Sequence, residues 1–204
     1  MPIPISKEIP SAREIARTMQ LYPAGLSLTD CERLIVEIGP GRGDFLFHLA
    51  EKNPGAVIVG IEIKEKRVAK LIERIEKRNL KNVMIILGDA RSIIENAFEQ
   101  SSIEEIHINF PDPWPKNKHS KNRLVTSGFL KKCAEILKCG GAINFATDDP
   151  SYAKSAEISA AAVPIIARTE PSETQFPTYF AMKWKKMGRK LNYFRFVKSC
   201  PANG

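Results

Sequence analysis

The chain has 204 residues, of which 43% are apolar and 26% are charged. That length suits one domain with a full core, and the composition excludes a largely disordered chain. The formal net charge is +8, and residues 174–204 carry seven lysines and arginines and no acid. Aromatic side chains alternate with these cations, which favours nucleic acid, a polyanion with stacking bases, over a membrane surface.

Four cysteines occur without a C-x-x-C pair and without metal-ligand spacing to the three histidines, so we expect reduced thiols and no metal site. The N-terminus lacks the long apolar core of a secretion signal, and no stretch approaches the roughly 18 apolar residues of a membrane span. We therefore expect a cytoplasmic protein with no membrane partner.

Residues 1–30 carry only a weak pattern and are interpreted as an N-terminal arm of a single domain that spans 1–204. Beyond them, short apolar runs alternate with helical periodicity or loops, which predicts a parallel sheet with crossover helices. The predicted strands are 34–38, 56–61, 83–87, 105–108, 142–146 and 193–197.

Helical spacing follows several of these runs. Apolar residues at i, i+3, i+4 and i+7 from Val68 leave lysines and arginines toward solvent, which predicts a crossover helix. The same spacing from Leu130 to Leu137 predicts a helix that stops at Gly140-Gly141. A further helix is predicted after the turn at 147–150.

The first predicted strand runs into a glycine-rich turn. Gly39, Gly41 and Gly43 follow Glu37 and precede a helix that is predicted to begin near Asp44. Glycines at alternate positions let the backbone turn sharply and approach a ligand closely. The third glycine comes one residue too early for the dinucleotide motif G-x-G-x-x-G, which argues against a dinucleotide ligand.

The second and third predicted strands also end in acids. Glu62 stands where a carboxylate can accept both hydroxyls of a ribose, although it could equally start a surface helix. Asp89 follows the third run and could instead cap the next helix. Three ligand-suited strand ends on one sheet edge favour a binding site there.

A proline-rich loop, N-F-P-D-P-W-P-K-N-K-H-S-K-N-R at 109–123, follows the fourth run. Its three prolines hold the backbone extended and remove amide donors, so a stiff loop can keep Asp112 and Trp114 in place. A rigid surface connection is the structural alternative.

These segments resemble a known family. The strand ends at Glu37, Glu62 and Asp89 resemble the nucleoside-binding edges of class I S-adenosylmethionine-dependent methyltransferases, and the loop resembles the signature of bacterial tRNA (guanine-N7)-methyltransferases. Two later motifs agree: T-D-x-x-x-Y-A from Thr147 and T-x-F from Thr178. The resemblance implies a Rossmann-like α/β fold with a seven-stranded, mostly parallel sheet and helices on both faces.

The same resemblance implies S-adenosylmethionine as the cofactor, tRNA as the partner and guanine 46 of the variable loop as the target, in a monomer or homodimer. The implied cofactor contacts are Glu37, Gly39, Gly41, Gly43, Glu62, Asp89 and Asp112. Asp112 would also be the catalytic or guanine-positioning carboxylate. The implied substrate contacts are Lys116, Asp148, Thr178, Tyr179, Phe180 and Ala181. The implied RNA contacts are Lys118, His119, Ser120, Lys121, Asn122 and Arg123.

Some positions depart from the family pattern. Ala181 stands where the family usually has glutamate, and Asn117 and Asn122 stand where the loop is often basic. Two other functions therefore remain open: an exocyclic-amine methyltransferase, whose N/D-P-P-Y/F loop is only partly matched, and a non-catalytic RNA-binding protein on a methyltransferase scaffold. A small-molecule methyltransferase would leave the basic, aromatic C-terminal segment without a role.

Overall fold

A computed structural model describes residues 31–115, 117–171 and 177–200. One seven-stranded sheet with the order β3-β2-β1-β4-β5-β7-β6 organises this part of the chain. Its first five strands run parallel, and β7 is antiparallel to both of its neighbours. The strands are β1 Leu34–Ile38, β2 Val57–Glu62, β3 Val83–Leu87, β4 Ile103–Asn109, β5 Leu137–Thr147, β6 Ile166–Thr169 and β7 Asn192–Lys198.

Each predicted run lies mainly or wholly in a strand, and the seven-stranded, mostly parallel α/β sheet is confirmed. Only β6 had no run of its own in the sequence. It is a short edge strand in which Ile166 is buried and the other three residues are exposed, so it gives no hydrophobic signal.

Helices cover both faces of the sheet. Successive strand residues point to opposite sides, so Ile35 joins one apolar cluster with α1 and α2, and Val36 joins the other with α3, α4 and α5. The helices are α1 Asp44–Lys52, α2 Glu65–Lys77, α3 Ala90–Asn96, α4 Ser127–Ile136, α5 Pro150–Ala161 and α6 Tyr179–Lys186, with a 3₁₀ helix at Asn117–Asn122. The helices predicted near Asp44, from Val68 and after 147–150 are confirmed as α1, α2 and α5, whereas the sequence interpretation did not include α6.

The predicted end of α4 is wrong. The helix ends at Ile136, and Leu137 already belongs to β5. Between two paired positions, β5 advances five residues while β4 advances two, so β5 bulges there. The bulge uses Gly140 at φ 73° and Gly141, where a Cβ would lie 2.9 Å from two carbonyl oxygens. Leu137 fitted helical spacing by coincidence, because a short apolar run suits helix and strand alike.

The expectation that all cysteines are reduced is also wrong. Cys139, in the β5 bulge, is joined to Cys200, two residues after β7, with the Cα atoms 5.1 Å apart. The antiparallel pairing of β5 with β7 brings the two positions together. Their separation of 61 residues gives no hint of that contact in the sequence.

Reduction of this disulfide is expected to destabilise the protein. Loop closure over 61 residues restricts the unfolded chain and contributes up to about 4 kcal/mol of stability. Urea unfolding of air-oxidised protein, with and without reductant, should show a lower midpoint after reduction. Cys139→Ser should unfold at the lower midpoint under both conditions. Equal midpoints for the oxidised and reduced wild-type protein would contradict the expectation.

No helix within the described ranges is long and apolar enough to cross a membrane. The parallel strands β1 to β5 all end at one edge of the sheet, and the segments that carry the predicted site residues follow these ends.

Candidate active site

The turn after β1 borders open space. Gly39, Gly41 and Gly43 have φ values of 71°, 56° and 81°, which lie in the left-handed region. A Cβ on Gly43 would lie 2.5 Å from Leu71 and 2.7 Å from Phe47, so this glycine allows α1 to pack closely against α2. A Cβ on Gly39 would meet none of the described residues within 4 Å. Among the described residues the turn is therefore open at Gly39, as a ligand cradle requires.

Glu37 and Glu62 end β1 and β2, and both side chains are buried, with 2% exposure. Glu37 Oε1 accepts a 3.4 Å hydrogen bond from Asn109, and Glu62 Oε1 accepts a 3.0 Å hydrogen bond from the amide of Lys64. The second oxygen of each carboxylate is buried without a hydrogen-bond partner in the described part of the chain. Arg67 lies 3.5 Å from the second Glu62 oxygen, which is an ion-pair distance without hydrogen-bond geometry.

Burial raises the pKa of Glu37 to about 8, against a smaller opposing effect of the Asn109 hydrogen bond. A buried polar atom without a partner costs free energy and is rare in native proteins. Two such oxygens beside an open glycine turn therefore indicate a site for a ligand that donates hydrogen bonds.

Asp89 has the structural role that the sequence left open. Its side chain caps α3 by accepting a 2.7 Å hydrogen bond from the amide of Arg91. Asp89 is nevertheless exposed at the end of β3, next to β2 and Glu62. The structure thus brings the three predicted acids to one edge of the sheet.

The loop after β4 has an unusual backbone. Phe110 and Trp114 have φ values of 50° and 44°, which are rare for non-glycine residues and cluster at functional sites. The amide of Phe110 donates a 2.8 Å hydrogen bond to Ala146 at the end of β5. Asp112 is exposed, and the Trp114 ring lies 6.0 Å from that of His119.

The predicted RNA contacts in the second half of this loop divide into two groups. Lys118, Ser120, Lys121 and Asn122 are exposed, and His119 is half-buried. Arg123 is buried, and its side chain hydrogen-bonds Pro113, Ser151 and Ser155. Arg123 therefore exposes little of its side chain, and its predicted contact with RNA stays a prediction. Lys116 lies outside the described residues.

Residues from the C-terminal part reach the same edge. Thr178 caps α6 by accepting a 3.1 Å hydrogen bond from the amide of Ala181, whose side chain is buried. Arg42, in the glycine turn, lies 4.8 Å from the centre of the Tyr179 ring. This contact places the first turn of α6 beside the cradle.

Asp148 follows β5 at this edge and forms an ion pair with Arg189, which also lies 4.2 Å from the centre of the Trp184 ring. Sequence reasoning missed Arg189 and also Asn109, the partner of Glu37. Asn109 could have been found, because it stands at a strand end as the predicted acids do. Arg189 gave no signal within a run of basic residues.

A cavity of about 250 Å³ opens between α1, β4, β5 and β7, and its lining includes Asn109, Phe110 and Thr178, the N-cap of α6. A larger cavity of about 600 Å³ lies between α4 and the α5–β6 connection. Its lining includes none of the predicted site residues, so the smaller cavity is the better candidate for the substrate side of the site.

Comparison with known proteins supports a relationship to methyltransferases. Residues 32–192 match the family model described as "Putative methyltransferase". The chain is 35% identical to a tRNA (guanine-N(7)-)-methyltransferase of Thermotoga maritima, over 84% of this chain and 55% of that protein. It is 34% identical to the protein of the same name from Nitrosomonas eutropha, over 78% of this chain and 71% of that protein. The chain spans about half the length of the first curated relatives that it matches.

The fold has solved counterparts. The crystal structure of a SAM-dependent O-methyltransferase from Thermotoga maritima matches with a TM-score of 0.56 and 17% identity, over 95% of this chain and 66% of that chain. Similarity at that level of identity shows the fold alone. The fold is the Rossmann-like fold of such methyltransferases, and the reaction has to be argued from the site.

Proposed function

The chain belongs to the tRNA (guanine-N7)-methyltransferase family, and we propose that it transfers the methyl group of S-adenosylmethionine to N7 of a guanine in tRNA. The observation that carries this proposal is the pair of buried carboxylates, Glu37 and Glu62, beside the turn at Gly39; one oxygen of each accepts no hydrogen bond from the described residues. Such oxygens fit a ligand that carries both an ammonium group and ribose hydroxyls.

S-adenosylmethionine supplies a methyl group on a positively charged sulfur. In the proposed complex, Glu62 accepts hydrogen bonds from the ribose hydroxyls. Glu37 accepts hydrogen bonds from the ammonium group, next to the turn that contains Gly39, Gly41 and Gly43. Asp89 lies farther along the same sheet edge, on the side where the base of the cofactor would bind, and keeps its capping contact with α3. Each residue retains the position that it has in the structure.

Guanine N7 has a free lone pair and no proton, so the transfer needs no general base. It needs alignment of the nitrogen with the methyl group. It also needs an electrostatic environment that stabilises the positive charge that develops on the purine. Asp112 follows the strained Phe110 and is exposed above the end of β4, where its carboxylate can meet the purine. Holding the N1 and N2 hydrogens of guanine is a second role open to the same carboxylate.

The C-terminal segment offers a surface for the rest of the RNA. Phe180 and Trp184 are stacked on α6 with centroids 6.1 Å apart, and Tyr179 and Phe180 are among its exposed aromatic residues. Lysines interleave with them, which suits both phosphates and bases. The exposed Lys118 and Lys121 of the 3₁₀ helix extend this basic surface toward the Asp112 loop.

The proposed substrate pocket differs from the family pattern at one position. Ala181 contributes a buried methyl group where the family usually has a carboxylate. Asp148 is the acid that the resemblance assigns to the nucleotide. Arg189 neutralises Asp148 in the ligand-free protein. The resemblance to the family further implies guanine 46 as the target, in a cytoplasmic monomer or homodimer.

Product analysis tests the proposal. Purified protein is incubated with unmodified tRNA and methyl-labelled S-adenosylmethionine, and the tRNA is then digested to nucleosides. Labelled 7-methylguanosine is the expected product, and it would also show that Ala181 is compatible with activity. Label on an exocyclic amine would contradict the proposed target atom. Cofactor and RNA binding without any label would favour a binding protein.

A further inference from the structure

Arg123 is a buried cation at the end of the proline-rich loop. Its side chain is 7% exposed, although it closes a segment rich in exposed lysines. Burial of a guanidinium is costly unless its donors are satisfied, because the group stays charged at every accessible pH. The contacts of this side chain therefore indicate what it does.

The guanidinium of Arg123 donates four hydrogen bonds and forms one ion pair. Nε donates to the carbonyl of Pro113 at 2.8 Å. Nη1 donates to the Ser151 carbonyl at 3.3 Å and the Ser155 hydroxyl at 3.0 Å, and Nη2 donates to the Ser151 hydroxyl at 3.0 Å. Asp149 lies 3.7 Å from Nη2. Four of the five N–H groups therefore donate hydrogen bonds within the protein, and the Asp149 carboxylate adds an ion pair, so little of the guanidinium is available to a phosphate.

Other contacts fix the guanidinium in this position. It lies 5.0 Å from the centre of the Tyr152 ring, and the Tyr152 hydroxyl accepts a 3.0 Å hydrogen bond from the amide of Val125. Arg91 donates to the carbonyls of Asn122 and Arg123 at 2.9 and 3.0 Å. The base of the loop is thus fixed to α3 and α5 through both backbone and side chains.

The partners of Arg123 adjoin the two carboxylates that we assign to the substrate. Pro113 follows Asp112 directly, and Asp149, the N-cap of α5, follows Asp148 directly. We infer that Arg123 is a positioning residue that fixes the separation of Asp112 from Asp148, and hence the orientation of the guanine between them. This inference rests on the proposed function.

Arg123→Lys is the informative substitution. Lysine keeps the charge but cannot reproduce the planar set of donors, so it cannot hold Pro113 and both serines together. We expect kcat for tRNA methylation to fall about 100-fold, because a displacement of about 1 Å can cost that much. The dissociation constant for S-adenosylmethionine should stay within about twofold, because Glu37 and Glu62 lie on other strands. Arg33→Lys, at an exposed arginine paired with Glu104, should leave kcat unchanged.

Salt dependence separates positioning from RNA contact. Arg123→Met, which removes the charge, should leave the slope of log K for tRNA against log salt unchanged. Lys121→Met, at an exposed lysine of the same segment, should lower that slope by about 1. A wild-type kcat in Arg123→Lys, or a slope altered in Arg123→Met as it is in Lys121→Met, would overturn the inference.

Two further measurements keep the test decisive if Arg123→Lys folds poorly. Ser155→Ala removes one acceptor and leaves Arg123 in place, so kcat should fall severalfold with cofactor binding retained; an unchanged kcat would overturn the inference. The chain has two tryptophans, so Trp114 is the single reporter in a Trp184→Phe background. Adding Ser155→Ala there should increase acrylamide quenching of Trp114, and unchanged quenching would overturn the inference.

Failure of the proposed function would look different. If the wild-type protein forms no 7-methylguanosine, the proposed reaction is wrong, while Trp114 quenching still reports whether Arg123 fixes the loop. If the wild-type protein is active and Arg123→Lys is equally active, only the positioning role is wrong.

Discussion

Asp112→Ala is expected to lower kcat for tRNA methylation roughly 100- to 1,000-fold, the usual effect of losing one group that stabilises transition-state charge. The carboxylate lies exposed in the loop after β4, whereas the unpartnered oxygens assigned to the cofactor belong to Glu37 and Glu62. The affinity for S-adenosylmethionine should therefore change little. Single-turnover kinetics together with calorimetric titration of the cofactor would measure both quantities.

Asp112→Asn separates the two roles of this carboxylate. Asparagine keeps the size and one acceptor oxygen but removes the charge. If Asp112 stabilises positive charge on the purine, kcat should fall about as far as in the alanine variant. If Asp112 mainly holds the N1 and N2 hydrogens, the asparagine variant should keep an intermediate kcat. Loss of cofactor binding in either variant would instead place Asp112 in the cofactor site.

Cofactor affinity is expected to rise with pH, by close to tenfold per unit near pH 6 and by less as pH approaches 8. Burial raises the pKa of Glu37 to about 8, so the ligand-free protein holds a proton on this carboxyl at neutral pH. An ammonium group binds the ionised form, so binding at pH 7 should release most of one proton. Calorimetry in buffers of different ionisation enthalpy measures that release.

Glu37→Gln should abolish both the proton release and the pH dependence, and should weaken cofactor binding near pH 8. An unchanged proton release in this variant would show that another group titrates on binding.

The same carboxyl makes stability depend on pH. Its pKa is raised from 4.5 in the unfolded chain to about 8 in the native state, so the native state keeps a proton that the unfolded state has lost. The stabilisation is complete below about pH 4.5 and is lost as pH rises through about 8, at a rate on the order of 1.4 kcal/mol per pH unit. Urea unfolding of the ligand-free protein should show this loss, and Glu37→Gln should remove it.

Much of the fold could be predicted, because short apolar runs that alternate with amphipathic helices leave few arrangements other than a parallel sheet. The acids were predictable by position, since residues at the carboxyl ends of β1, β2 and β3 must meet at one edge. The burial of Glu37 and Glu62 was not, because it depends on packing around the glycine turn.

Contacts between distant segments account for what the sequence did not show. Arg123 looked like one more cation in a basic loop, yet Ser151 and Ser155 of α5 bury it. The Cys139–Cys200 disulfide depends on the pairing of β5 with β7, which no local pattern encodes. The end of α4 was misplaced because the β5 bulge uses glycines that also suit a helix end. The predicted N-terminal arm at 1–30 lies outside the described residues.

A comparison of methyl transfer to two tRNA transcripts of the same sequence tests the proposed reaction most directly. One transcript contains guanosine, and the other contains 7-deazaguanosine, in which carbon replaces N7 and removes the lone pair. With labelled S-adenosylmethionine we expect 7-methylguanosine from the first transcript and no label in the second. Equal labelling of both transcripts would show that another atom accepts the methyl group and would contradict transfer to N7.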